Sequence, residues 1–164
     1  MLNRLEINTP ISVDVVDRIA SQAGYRTEKG DKWVRLEKDG INWFVELDEL
    51  PKVFILCNFR VDTATWDVEL LREAANLMMQ DIIMVKARII ERSDDVPTLR
   101  FYIYSMDRNA TAFRQNLPEY MGMFWAADRR LRQIYDGLVQ HKAEMAVADN
   151  LINKASRSGN RVTS

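Results

Sequence analysis

Apolar and polar positions change period several times along the chain, and each change marks an element. From Ser12 the apolar residues Val13, Val16, Ile19, Ala20 and Ala23 recur at helical spacing. Ser12 is placed as an N-cap, Asp14 and Asp17 sit near the positive end of the helix dipole, and Gly24 supplies a residue that tolerates the left-handed helix stop. The period then shortens to two. Lys32–Lys38 and Ile41–Leu47 are rich in aromatic and β-branched residues and flank Asp39-Gly40, a pair suited to the positive φ angles of a tight hairpin turn. On the second of these strands Ile41, Trp43, Val45 and Leu47 share one face, with Asn42, Phe44 and Glu46 on the other. Val53–Arg60 is almost wholly apolar, as expected of a strand covered on both faces.

Thr65 is the expected N-cap of a second helix, whose apolar residues Trp66, Leu70, Ala74, Leu77 and Met78 follow spacings of three and four. The β-branched run Ile82–Glu91 and the alternating run Leu99–Met106 predict a second hairpin around Ser93–Pro97. Leu99, Phe101 and Ile103 point one way, and Arg100, Tyr102 and Tyr104 the other. A short helix or turn over 109–115 precedes a long helix that starts at Pro118, with Asn116 as its cap, and carries Met121, Phe124, Trp125, Leu131, Tyr135 and Leu138 to about residue 145. Residues 151–164 are polar and read as a structureless tail after a single α+β domain over 1–150. The predicted order is α-β-β-β-α-β-β-α, a five-stranded antiparallel sheet with flanking helices.

This order resembles the type III secretion chaperone-like fold, and within it the bacterial YbjN-like sensory transduction regulator family. The resemblance spans roughly residues 12 to 142. It is carried by Ala23-Gly24-Tyr25-Arg26, the Trp33-to-Leu47 hairpin, Phe59-Arg60-Val61-Asp62, Ala74-Ala75-Asn76 and the closing hairpin and helix. It implies a dimer-forming binding or regulatory protein without a cofactor; the extension beyond residue 142 departs from a compact member.

Composition narrows the chemistry. With 23 Lys and Arg against 24 Asp and Glu the formal charge is −1, which gives no overall pull toward nucleic acid or anionic lipid. The lone cysteine, Cys57, excludes an internal disulfide and fits a reducing compartment. No run is long enough to span a membrane and residues 1–6 lack a secretory pattern, so the cytoplasm is the expected location. The single histidine, His141, lies beside Lys142 on a charged helix stretch, and Cys57 sits inside the most apolar strand, so neither reads as catalytic. Asp94-Asp95 and Glu46/Asp48/Glu49 fall at turns, where carboxylates cap backbone or face water. Neither a glycine-rich phosphate loop nor zinc-ligand spacing occurs. No catalytic, cofactor or metal site is therefore assigned.

The excess of apolar positions points to binding. Strands two, three and four are apolar on both faces, more than three helices are expected to cover. The expectation is a non-enzymatic protein-binding module, chaperone-like or regulatory, acting as a homodimer through Trp66, Leu70, Met79 and Met84, with another protein or peptide as a further partner. Two alternatives remain: an RNA-binding module using Arg129, Arg130 and Arg132 of the last helix, with Tyr102 and Tyr104 as stacking platforms, and a small-ligand sensor.

Overall fold

The computed structural model describes residues 9–47, 53–91, 96–105 and 107–159, with side chains to 154. The chain runs α1 (Val13–Gln22), β1 (Arg26–Lys29), β2 (Trp33–Lys38), β3 (Ile41–Glu46), β4 (Val53–Arg60), α2 (Val68–Asp81), β5 (Lys86–Ile90), β6 (Thr98–Ser105) and α3 (Ala110–Gly159). The fold is α+β, with one antiparallel sheet in the order β1-β2-β3-β4-β6-β5.

Local chemistry sets the element ends. Ser12 Oγ accepts from the Val15 N–H at 3.4 Å at the start of α1, and Gly24 follows the helix at φ +85°. Asp39 and Gly40 both take positive φ, 53° and 76°, so β2 and β3 are joined by the predicted tight turn. Asp67, not Thr65, caps α2: its Oδ1 accepts from the Glu69 and Leu70 N–H groups.

Three departures from the expected elements have identifiable causes. The sheet has six strands rather than five, because β1 pairs with β2 from Arg26↔Glu37 to Lys29↔Val34. Its sequence, Arg-Thr-Glu-Lys, has no apolar alternation to reveal it. It is a charged edge strand held by its ladder and by pairs such as Lys29–Asp14 and Arg26–Glu37. The run from Ile82 is strand only over Lys86–Ile90; Ile82 ends α2, and Ile83 and Met84 lie in the connection. The last helix begins at Ala110, because Asn109 Oδ1 accepts from the Ala112 N–H and so caps it two turns earlier than Asn116. Pro118 therefore lies inside the helix, within a stretch whose Phe113, Leu117, Tyr120 and Met121 are all buried. The same helix continues through Gly159, so residues 151–159 carry helical backbone where a structureless tail was expected; residues 160–164 lie outside the described residues.

The core forms on one side of the sheet. Val34, Leu36, Trp43, Val45, Val53, Ile55, Cys57, Leu99, Phe101 and Ile103 alternate inward, against Val16 and Ile19 of α1, Leu71, Ala74 and Met78 of α2, and Phe113, Leu117, Phe124 and Leu131 of α3. Phe101 is fully buried on β6, edge-on to Phe59 at 5.9 Å. Phe101→Ala is expected to cost about 3–5 kcal/mol through the cavity it leaves. Denaturant titration checks this: the midpoint falls while the slope stays that of the wild type.

Candidate functional site

Because every described helix packs on the inward side, the opposite side of the sheet presents the alternate residues: Trp33 and Arg35 on β2, Phe44 on β3, Phe54, Leu56 and Asn58 on β4, Arg100, Tyr102 and Tyr104 on β6, and Lys86 and Arg88 on β5. The register places Phe44, Leu56, Tyr102 and Lys86 in one row across four strands, with Phe54 opposite Tyr104 in the next. None of these residues belongs to the core beneath the helices. Leu56, between Phe44 and Tyr102 in the register, is nonetheless only 1% exposed.

The rings form two groups. Trp33 and Phe44 lie 6.1 Å apart. Phe54 meets Tyr104 at 4.9 Å and Tyr102 at 5.3 Å, and the two tyrosines are edge-on at 5.7 Å. Tyr104 is 53% exposed. The Arg88 guanidinium lies 5.6 Å from the centroid of the Tyr102 ring, and Arg100 Nε donates to Asn58 Oδ1 at 2.8 Å. On the β1–β3 half the cations have acidic neighbours: Arg35–Glu28 at 2.7 Å and Arg26–Glu37 at 3.1 Å.

Residues singled out from the sequence are dispersed. Trp66 packs on Tyr135 of α3 at 4.5 Å beneath Arg132, while the Tyr135 hydroxyl accepts from the Asp67 N–H at 2.8 Å. Lys142 closes the same corner on Asp67 at 2.9 Å, and this hydrogen bond holds the Asp67 carboxyl below its ordinary pKa. Leu70 and Met79 are half-buried against the core, and Met79 Sδ accepts from the Ala87 N–H. Of the four expected interface residues only Met84 is largely in water, beside Ile83; they are 52% and 74% exposed. Arg130 is bound to Asp81 at 2.7 Å and Arg132 to Asp128 at 3.0 Å, with Arg129 exposed next to them. The basic stretch of α3 is thus largely neutralised by its own surroundings.

A buried polar cluster escaped the sequence reading. Asp107 accepts from Ser105, Tyr120 and Asn116 at 2.7–2.8 Å, and Ser105 also lies 3.0 Å from the Tyr120 hydroxyl. Burial raises the Tyr120 pKa. The cluster ties the end of β6 to the first turns of α3, which is what a satisfied buried network does. The only hint in the sequence was Asn116, whose side chain bonds Asp107 rather than capping a helix.

This fold has solved counterparts. YbjN from E. coli superposes with a TM-score of 0.57 at 12% identity, over 80% of this chain and 94% of that one. The fold is YbjN-like. An uncharacterized protein from Methanothermobacter thermautotrophicus matches with a TM-score of 0.51 at 8% identity, covering 77% of this chain and 98% of its own. No protein-family profile and no curated protein matches the sequence.

Within the YbjN-like fold, a cavity of about 150 Å³ opens between sheet and helices and is lined by Phe59, Trp66, Leu71, Asp128, Leu131 and Arg132. That is below the size of most small-molecule sites. A shallower depression of about 340 Å³ lies open between Ser12, Asp14, Asp31 and Lys32. Among the described residues no group of three His, Cys, Asp or Glu side chains could hold a metal ion, and no helix is long and apolar enough to cross a membrane. His141 is exposed on α3.

Cys57 points into the core, its Sγ donating to the Asn42 carbonyl, and burial, helped by the charge of Asp128, pushes its pKa up to about 12. The unfolded chain loses this proton near 9 and the folded chain keeps it, so the thiol's contribution is level below pH 9 and stability falls between about 9 and 12, by up to about 1.4 kcal/mol per pH unit. Denaturant melts from pH 8 to 11 on wild type and Cys57→Ala check this: the fall is expected to be steeper in the wild type, and native Cys57 to resist alkylation at pH 8.

Proposed function

We propose that this chain is a non-enzymatic, regulatory binding module that lays a macromolecular partner across the helix-free face of its sheet. One observation carries the reading: Trp33, Phe44, Phe54, Leu56, Tyr102 and Tyr104 share the side of β2, β3, β4 and β6 that no described helix covers, two groups of rings with Leu56 between them. A sheet with helices on one side normally turns polar residues outward on the other, so a face built of partly exposed rings marks an interaction site. The wide hydrophobic platform, flanked by charges and backed by a rigid sheet, suits recognition. Its side chains include no grouped nucleophile, base or metal ligand. YbjN, with which the chain shares its fold, has been proposed to be a transcription regulator. A regulator of that kind works by binding, as proposed for this chain.

The test is capture from the native cell with tagged wild-type chain and with Tyr102→Ala/Tyr104→Ala. Both side chains lie outside the helix-side core, so the variant is expected to fold with little loss of stability. Partners retained by the wild type and lost by the variant are the predicted result. The same set on both contradicts it.

Homodimerisation is part of the same reading, now centred on the α2–β5 corner. There Met84 is joined by Ile83 and Leu77 as exposed apolar side chains beside the edge strand β5. Covering that corner with a second copy would remove three apolar side chains from water in each chain. Light scattering on the eluting protein is expected to give twice the 19.1 kDa chain mass, and Ile83→Asp/Met84→Asp to give one. A wild type that stays at a single chain mass at high concentration rules the dimer out.

A further inference from the structure

We propose that the β4–β6–β5 half of the helix-free face binds single-stranded nucleic acid, its bases stacking on Tyr104, Phe54 and Tyr102 and its phosphates held by Lys86, Arg88 and Arg100. The inference rests on the reading of this face as the working surface and names its partner.

The charge distribution across the sheet selects the partner. On β4, β6 and β5 the positions alternating outward are Phe54, Leu56, Asn58 and Arg60, then Thr98, Arg100, Tyr102 and Tyr104, then Lys86, Arg88 and Ile90. Four are cationic and none is a carboxylate. The other half of the same face intersperses its arginines with the carboxylates Glu28, Glu37 and Glu46. A chain of net charge −1 thus concentrates positive charge on one half of one face, the complement of a polyanion.

The rings distinguish among polyanions. An acidic peptide satisfies the cations but has no planar groups to match three clustered rings, whereas a nucleic acid offers one base per phosphate. The face of a six-stranded sheet is too wide to enter the grooves of a duplex, which admit a helix or a two-stranded ribbon, so its rings reach bases only where the bases are unpaired. Arg88 and Arg100 lie one row from Tyr102, which puts cation and ring within the span of a single nucleotide. The Asn58 side chain beside Arg100 adds an amide at the edge of the ring cluster.

Fluorescence anisotropy of the full chain with a labelled 15-nucleotide thymidine strand tests this, with a 15-base-pair duplex and a 15-residue polyglutamate as the other probes. The single strand is expected to bind tighter than either. Three neutralised phosphates give a slope of about −2 in log affinity against log salt, roughly a twenty-fold loss between 50 and 200 mM salt. Tyr104→Ala is expected to weaken binding roughly tenfold, and Lys86→Glu/Arg88→Glu to remove it while the far-ultraviolet dichroism stays unchanged. A duplex bound as tightly as the single strand overturns base stacking. Polyglutamate bound in its place, and lost on Lys86→Glu/Arg88→Glu, overturns the nucleic-acid assignment and leaves the face a binding site for acidic protein. No probe bound likewise overturns it. Binding of the strand that none of these substitutions changes overturns the face itself.

Discussion

The structure depends on the pairing of β4 with β6. Eight residues of each strand are in register, from Val53↔Ser105 to Arg60↔Thr98, and the pairing joins the N-terminal meander to the C-terminal hairpin. Because side chains alternate strictly along a strand, this one register decides the fate of every residue on both strands. It sends Ile55, Cys57, Phe101 and Ile103 into the helices and Phe54, Leu56, Tyr102 and Tyr104 to the opposite side. With α1, α2 and α3 all committed to the first side, the aromatic tract on the second follows from the register.

The helices are fixed to that side by polar links as well as by the core. At one end of α3 the Ser105–Asp107–Tyr120–Asn116 network anchors its first turns to β6; further along, Tyr135 and Lys142 hold the start of α2. Trp66 belongs to this second anchor, and its packing against Tyr135 explains why an apolar residue that looks like interface in the sequence is internal in the fold. The same logic disposes of the basic stretch of α3, since Asp81 and Asp128 meet Arg130 and Arg132. The sheet face and the Leu77–Ile83–Met84 corner are left for outside contacts, as are Trp125, Val139, Met145 and Val147 along the outer side of α3.

Much of this was legible in the sequence, and what was not has physical reasons. Period-two alternation placed β2, β3 and β6 and told their two faces apart, because burial on one side imposes it. The surplus of apolar residues on both faces was legible too, and it appears as the uncovered aromatic tract. β1 was not, since a polar edge strand is stabilised by backbone pairing and carries no pattern. The start of α3 was missed because Pro118 is a common first-turn residue, while Asn109 caps the helix instead. Trp66 and Leu70 lie on a stripe of helical spacing, which identifies a buried surface but cannot say whether the chain itself or a partner buries it. The basic sheet patch was hidden because Lys86, Arg88 and Arg100 meet only through β5–β6 pairing.

The central claim is that the tyrosine-bearing face of the sheet is open. Hydroxyl-radical footprinting of the dilute, purified chain, read tyrosine by tyrosine by mass spectrometry, tests it with internal controls. The account predicts rapid labelling of Tyr104, which is 53% exposed, against slow labelling of Tyr120 and Tyr135, each 7% exposed. Tyr104 as well protected as those two would mean that the chain covers its own sheet, and would contradict the account.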